Sequence, residues 1–181
     1  MGAIGNKKHT YSIKEEPTLL NSVHNILEEA KQRELIVNNQ VNIEDIINQQ
    51  YPQIRLEFKP LDSMISGKLI KEGESWYMII NSNQSKTRQR FTMGHELGHY
   101  VYHRRETSQF IDTLFYRQNE LKSSVEYMAD EFAALLLMPE ELIKSCLSKG
   151  VNSVGALATT FGVSNEAMTY RLQQLNYKIS Y

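Results

Sequence analysis

One cysteine, Cys146, stands in a chain of 181 residues, so no intramolecular disulfide can form and stability must come from a packed core. That usage fits a reducing compartment. Excess charge is also missing: 20 Lys and Arg stand against 21 Asp and Glu, a formal net charge of -1. A surface this close to neutral excludes a strong general attraction to DNA, RNA or acidic membranes. Long apolar runs are absent as well. The longest, Phe132 to Pro139, falls far short of the roughly 20 residues a membrane helix needs. Residues 1–16 are polar and lack the apolar core of a signal peptide, so a flexible leader and a cytoplasmic location are expected.

What is present describes an ordinary globular protein. Hydrophobic residues make up 41% and charged residues 23%, and the length suits one domain or a catalytic core with a small appendage. Leu19, Val23, Ile26, Leu27 and Ala30 recur at helical spacing, which predicts an amphipathic helix over 17–36. A second helix is expected at 42–50, capped by Asn42 and stopped by Pro52. The period then changes to two. Ile54 to Phe58, Ile65 to Ile70 and Trp76 to Ile80 read as three strands of a small, mostly antiparallel sheet. Trp76 to Ile80 is either an edge that could pair with an extended substrate or a central strand.

Ser85 can cap a helix running to about His103, and a further helix is expected from Ser124 to Met138, ended by Pro139. Between them, Phe110 to Phe115 is a further strand or a loop over the core. Residues 139–181 read as three short helices. The class is therefore α+β: a polar leader at 1–16, a main domain at 17–139, and a helical, helix-turn-helix-like tail at 140–181.

The chemistry-bearing pattern is His95-Glu96-Leu97-Gly98-His99. An α-helix turns once in about 3.6 residues, so His95 and His99 project from one face towards a single ion. Two neutral imidazoles there suit Zn2+, with another divalent ion such as Mn2+ as the alternative. Glu96 can reach a water at the metal without taking a coordination position, the place of a general base. A chance HExxH on an ordinary helix is the bland alternative.

A third ligand sharpens the choice. His103 lies eight residues beyond His95, a rise of about 12 Å, too far to share one ion with both; a solvent-facing or supporting role is expected. Glu126 lies 27 positions after His99 at the start of the next helix, with Asp130 one turn on. Glu126 can complete the metal site while Asp130 accepts the free N–H of a ligating histidine. Glu131 reads as an acidic residue of a helix start. Ala129, Ala133 and Ala134 would let the two helices pack closely.

Arg90-Phe91-Thr92-Met93-Gly94-His95-Glu96-Leu97-Gly98-His99, followed by Glu126-x-x-Ala129-Asp130-x-Phe132-Ala133-Ala134-x-Leu136-Leu137-Met138-Pro139, closely resembles the ImmA/IrrE family of metallopeptidases. The resemblance implies a zincin-like core, with His95, His99 and Glu126 as ligands and Glu96 as catalytic base. The fifth position of the second block is often asparagine in the family; here Asp130 can still support a ligand. It also implies a cytoplasmic regulator, often encoded on mobile elements or near stress-response genes. The activity it implies is limited cleavage of a helix-turn-helix repressor, relieving repression.

Tyr100, Tyr102, His103, Tyr127, Tyr170 and Arg171 are all chemically able to steady an oxyanion, and the sequence does not choose among them. The tail from Leu157 to Leu172 has the pattern of two helices around a Gly-containing turn, Ser164 capping the second. Its would-be recognition helix offers Arg171 alone against Glu166, so direct nucleic-acid binding is not expected. A DNA-binding or sensory regulator, and a hydrolase of small non-peptide substrates, remain the alternatives to a peptidase.

Overall fold

The computed structural model describes residues 16–113 and 123–179. The expected leader, apart from Glu16, and residues 114–122 lie outside that range. The described fold is mixed α+β. Helix α1 (Glu16–Gln32) leads into a two-stranded hairpin of β1 (Ile36–Val37) and β2 (Gln40–Val41), then α2 (Ile43–Gln50) and strands β3 (Ile54–Lys59), β4 (Ile65–Glu72) and β5 (Ser75–Asn81). Helix α3 (Lys86–His103) is followed by β6 (Gln109–Thr113), α4 (Ser124–Leu137), α5 (Glu140–Ser148), α6 (Val154–Phe161) and α7 (Asn165–Gln174).

The sheet differs from the expected one. It has four strands in the order β3-β5-β4-β6, with β4 antiparallel to both neighbours but β3 parallel to β5. Phe110 to Thr113 is thus a strand, and Trp76 to Ile80 is central. Alternation along a strand records which face is buried but not which neighbour it finds or in which direction. Nor does the first helix reach residue 36. It ends at Gln32, and Glu34, Asn38 and Asn39 take left-handed φ values of 58°, 51° and 64°. Two consecutive left-handed residues make the tight turn that joins β1 to β2.

The expected caps Asn42, Ser85 and Ser164 do close their helices, and Ser123 closes α4 in the same way. Each accepts a backbone N–H of the first turn with its side chain, satisfying donors that the helix itself cannot. Buried polar side chains fix the link from sheet to α3. Asn81 donates to the Ile65 carbonyl at 2.8 Å and accepts from Leu61 N, holding the β3–β4 crossover. Gln89 donates to the carbonyls of Asn81, Ser82 and Gln84. The start of α3 is therefore anchored to the end of β5.

Helices α3 and α4 pack closely along small residues. A Cβ at Gly94 would meet Ala133 at 3.1 Å, and one at Gly98 would meet the Ala129 backbone at 3.1 Å and Phe132 at 3.2 Å. Without those side chains the two helices approach at a distance set by backbone and methyl groups. Around this seam Phe132, Leu136, Leu137, Met78, Ile80 and Leu97 are fully buried, each contributing roughly 1.5–3 kcal/mol by leaving water.

The tail is tied to this core by two arginines. Arg90 of α3 donates to the carbonyls of Val41 (2.9 Å), Gly162 (3.1 Å) and Phe161 (3.3 Å), joining the hairpin and the end of α6 to the main helix. Arg171 is 5% exposed and donates to the Met138 carbonyl at 3.1 Å. Replacing Arg90 by Met should strand those three carbonyls and lower stability by about 2–3 kcal/mol. A urea-unfolding midpoint equal to that of the unaltered chain would show that the staple contributes nothing.

Candidate metal centre

The 18 residues of α3 carry His95 and His99 one turn apart, and both are 1% exposed. The ring edges meet: His95 Nε2 lies 3.0 Å from His99 Nε2. Across the α3–α4 seam, Glu126 offers Oε2 at 3.2 Å to His95 Nε2 and Oε1 at 3.4 Å to His99 Nε2. Ligand atoms of His95, His99 and Glu126 all lie within 4.8 Å of one another, the one such group among the described residues.

Asp130 stands on the other side of His95, its Oδ1 2.8 Å from Nδ1. An ionised carboxylate can only accept, so Nδ1 carries the proton and Nε2 is left with its lone pair facing the cluster. His99 is held differently. Its ring stacks on Phe110 of β6 with centroids 4.4 Å apart and an interplanar angle of 11°. Its Nδ1 is buried and has no hydrogen-bond partner among the described residues.

The electrostatics follow from burial and crowding. Burial disfavours charge on His99 and holds its imidazole below the usual histidine range, against the pull of Glu126. Burial would raise Glu126, but the interactions of its carboxyl with the His95 and His99 rings outweigh it and keep it well below the ordinary range. Two imidazole nitrogens and a carboxylate thus converge on one point. A divalent cation relieves that convergence where a single shared proton would satisfy only part of it.

Glu96 is fully buried beside this cluster. Strand β4 runs so near that a Cβ at Gly67 would come 3.3 Å from Glu96 Oε1 and 2.6 Å from the Thr92 methyl. The glycine lies at the irregular step where β4 shifts register against β6, opposite Asp112, itself 3% exposed. In the sequence Gly67 is a glycine punctuating a strand pattern, a mark of close approach, but what it approaches lies in α3. His103 likewise lies deeper than its own helix makes evident. It is 4% exposed and tilted against His99 at 5.6 Å, so the solvent-facing alternative is wrong. Phe110 closes over it from β6, a contact that α3 alone could not reveal.

The other candidates scatter. Tyr100 accepts from Gln53 Nε2 and packs edge-on to Tyr51 and Trp76. Tyr102 bonds the Leu19 carbonyl and meets Phe132. Arg171 is spent on Met138. Tyr127 and Tyr170 remain exposed.

A buried pair of histidines and a carboxylate from a neighbouring helix, with a second carboxylate ordering one ring, is the donor set of a metal-dependent protein. The comparison with known proteins narrows that class. Residues 49–173 match the IrrE N-terminal-like domain of peptidase family M78, and the chain belongs to that ImmA/IrrE family of metallopeptidases. Over 100 residues it is 29% identical to Metallopeptidase ImmA of Bacillus subtilis (strain 168), covering 54% of this chain and 56% of that protein. The match therefore spans little more than half of the relative's length. Membership implies a metal cofactor, and the His95, His99 and Glu126 cluster fits one.

The Gly67 contact yields a stability prediction. Gly67→Ala should cost about 1–3 kcal/mol through overpacking. Adding Thr92→Ser, which removes the methyl at the tighter contact, should recover part of the loss in a thermal melt. Equal melting of Gly67→Ala and the unaltered chain would show that β4 is not held this close to α3.

Proposed function

We propose that this chain is a zinc-dependent endopeptidase that makes limited cleavages in a cytoplasmic regulatory protein, a helix-turn-helix repressor, and so relieves repression. The observation that carries the peptidase reading is the convergence of His95 Nε2, His99 Nε2 and the Glu126 carboxylate beside buried Glu96. Family membership supports a peptide bond as the target. The repressor as substrate, and the cytoplasm as its place, rest on the family resemblance. No described helix is long and apolar enough to cross a membrane.

Zinc is favoured by the donor set and by its spacing. Two ligands about 2.0–2.1 Å from an ion and at a tetrahedral angle stand about 3.3 Å apart; the separations here are 3.0, 3.2 and 3.4 Å. When bound, zinc acts as a Lewis acid towards a substrate carbonyl and lowers the pKa of a water to about 7. In this reading His95, His99 and Glu126 hold the ion, and Asp130 fixes the His95 tautomer. Glu96 accepts the proton of the attacking water and passes it to the departing amine. The buried walls around Glu96, with β4 against its carboxylate, limit its rotamers and keep bulk water from competing for the proton.

Residues 17–139 would then form the catalytic unit, with 140–181 closing one side of it. A DNA-binding role finds no support in α7, because Arg171, its one cation, is buried on the Met138 carbonyl.

Glu96→Gln should bind metal as tightly as the unaltered chain while cleavage of a purified repressor substrate falls by at least about a hundredfold. Metal content is read by mass spectrometry and cleavage by fragment masses. Equal cleavage by both proteins would remove Glu96 from the mechanism.

A further inference from the structure

A groove of about 630 Å³ runs along the seam of α3 and α4 and is walled on its far side by α7. On α4 its floor is one stripe at helical spacing, Tyr127, Glu131, Ala134 and Met138; α3 contributes Arg88 and Phe91, and α7 contributes Glu166 and Tyr170. One end stops at Asp130, beside the candidate metal centre, without being lined by His95, His99, Glu96 or Glu126 themselves. Asp130 lines the groove and holds His95, and Tyr127 follows Glu126 directly.

Its dimensions suit a chain more than a small molecule. From Tyr127 to Met138 the helix rises about 16 Å, room for about five residues of extended polypeptide. Its chemistry is mixed in a particular way. Phe91, half-buried, and Tyr170 supply apolar and aromatic surface, and Tyr170 is 48% exposed. Three carboxylates, Asp130, Glu131 and Glu166, face one guanidinium, Arg88. Asp130 is committed to His95 and Glu131 accepts from Gln174 at 2.6 Å. Glu166 is exposed at the first turn of α7 and has no partner among the described residues.

We infer that this groove binds an extended segment of the substrate polypeptide flanking the scissile bond, and that it selects a Lys or Arg next to an apolar side chain. Glu166 receives the cation, and Tyr170 with Phe91 receives the apolar neighbour. The tail thereby contributes specificity to a site whose ligands all lie on α3 and α4. The inference rests on the peptidase reading for the word substrate, but the groove's binding preference stands or falls separately.

The test pans a randomised peptide library against the full chain carrying Glu96→Gln, with and without Glu166→Lys or Tyr170→Ala. Enrichment of peptides pairing Lys or Arg with an apolar neighbour is expected. Anisotropy of the best labelled peptide should show about tenfold weaker binding with Glu166→Lys and several-fold weaker binding with Tyr170→Ala. No enrichment, a preference for acidic peptides, or binding indifferent to both substitutions would overturn the proposal. Cleavage of the same peptides by the chain with Glu96 intact is read separately. Binding without cleavage counts against the peptidase reading while supporting the groove. Cleavage unaffected by either substitution supports the peptidase and rejects the groove.

Discussion

The close approach of α3 and α4 is the constraint on which the rest of the structure depends. Gly94 and Gly98 bring the α4 backbone and its alanines against α3, and the site follows from that distance. His95 and His99 sit on one helix, Glu126 and Asp130 on the other, and the 2.8 to 3.4 Å spacings between them exist because no larger side chain separates the two. The core depends on the same contact. Phe132 and Leu136 fill the space beside the seam, so packing and chemistry share one interface.

The sheet and the tail act on this pair from opposite sides. From the sheet, β4 crosses Glu96 at a glycine, and Phe110 of β6 stacks on His99. These contacts fix a carboxylate and an imidazole that α3 alone would leave several rotamers. From the tail, Arg171 anchors α7 to the end of α4, and Arg90 anchors α6 to α3. The helix-turn-helix pattern is thus committed to packing through its one available cation. Its exposed residues, Glu166 and Tyr170, line the groove that ends at Asp130, beside the candidate metal centre.

Much of this was legible in the residues because it depends on local periodicity. The i,i+4 histidines, the Asn42, Ser85 and Ser164 caps, and the boundaries of α3 and α4 are properties of single helices. What was not legible depends on partners distant in sequence. The parallel pairing of β3 with β5 leaves no trace in either strand's alternation. The β1–β2 hairpin has strands of two residues and an Asn38-Asn39 turn without glycine, too slight a signal against the helix before it. Burial of His103 and Arg171 is decided by Phe110 and Met138, which neither residue's own helix supplies. Gly67 was visible as a glycine in a strand, but what it approaches was not.

The proposed centre holds one ion between two imidazoles and one carboxylate across the α3–α4 seam. X-ray absorption at the zinc edge of the metal-loaded chain tests it most directly. Two imidazole nitrogens at about 2.0–2.1 Å are expected, with oxygen completing a four-coordinate shell and a changed oxygen contribution in Glu126→Ala. A shell without imidazole, or one identical in Glu126→Ala, would contradict it.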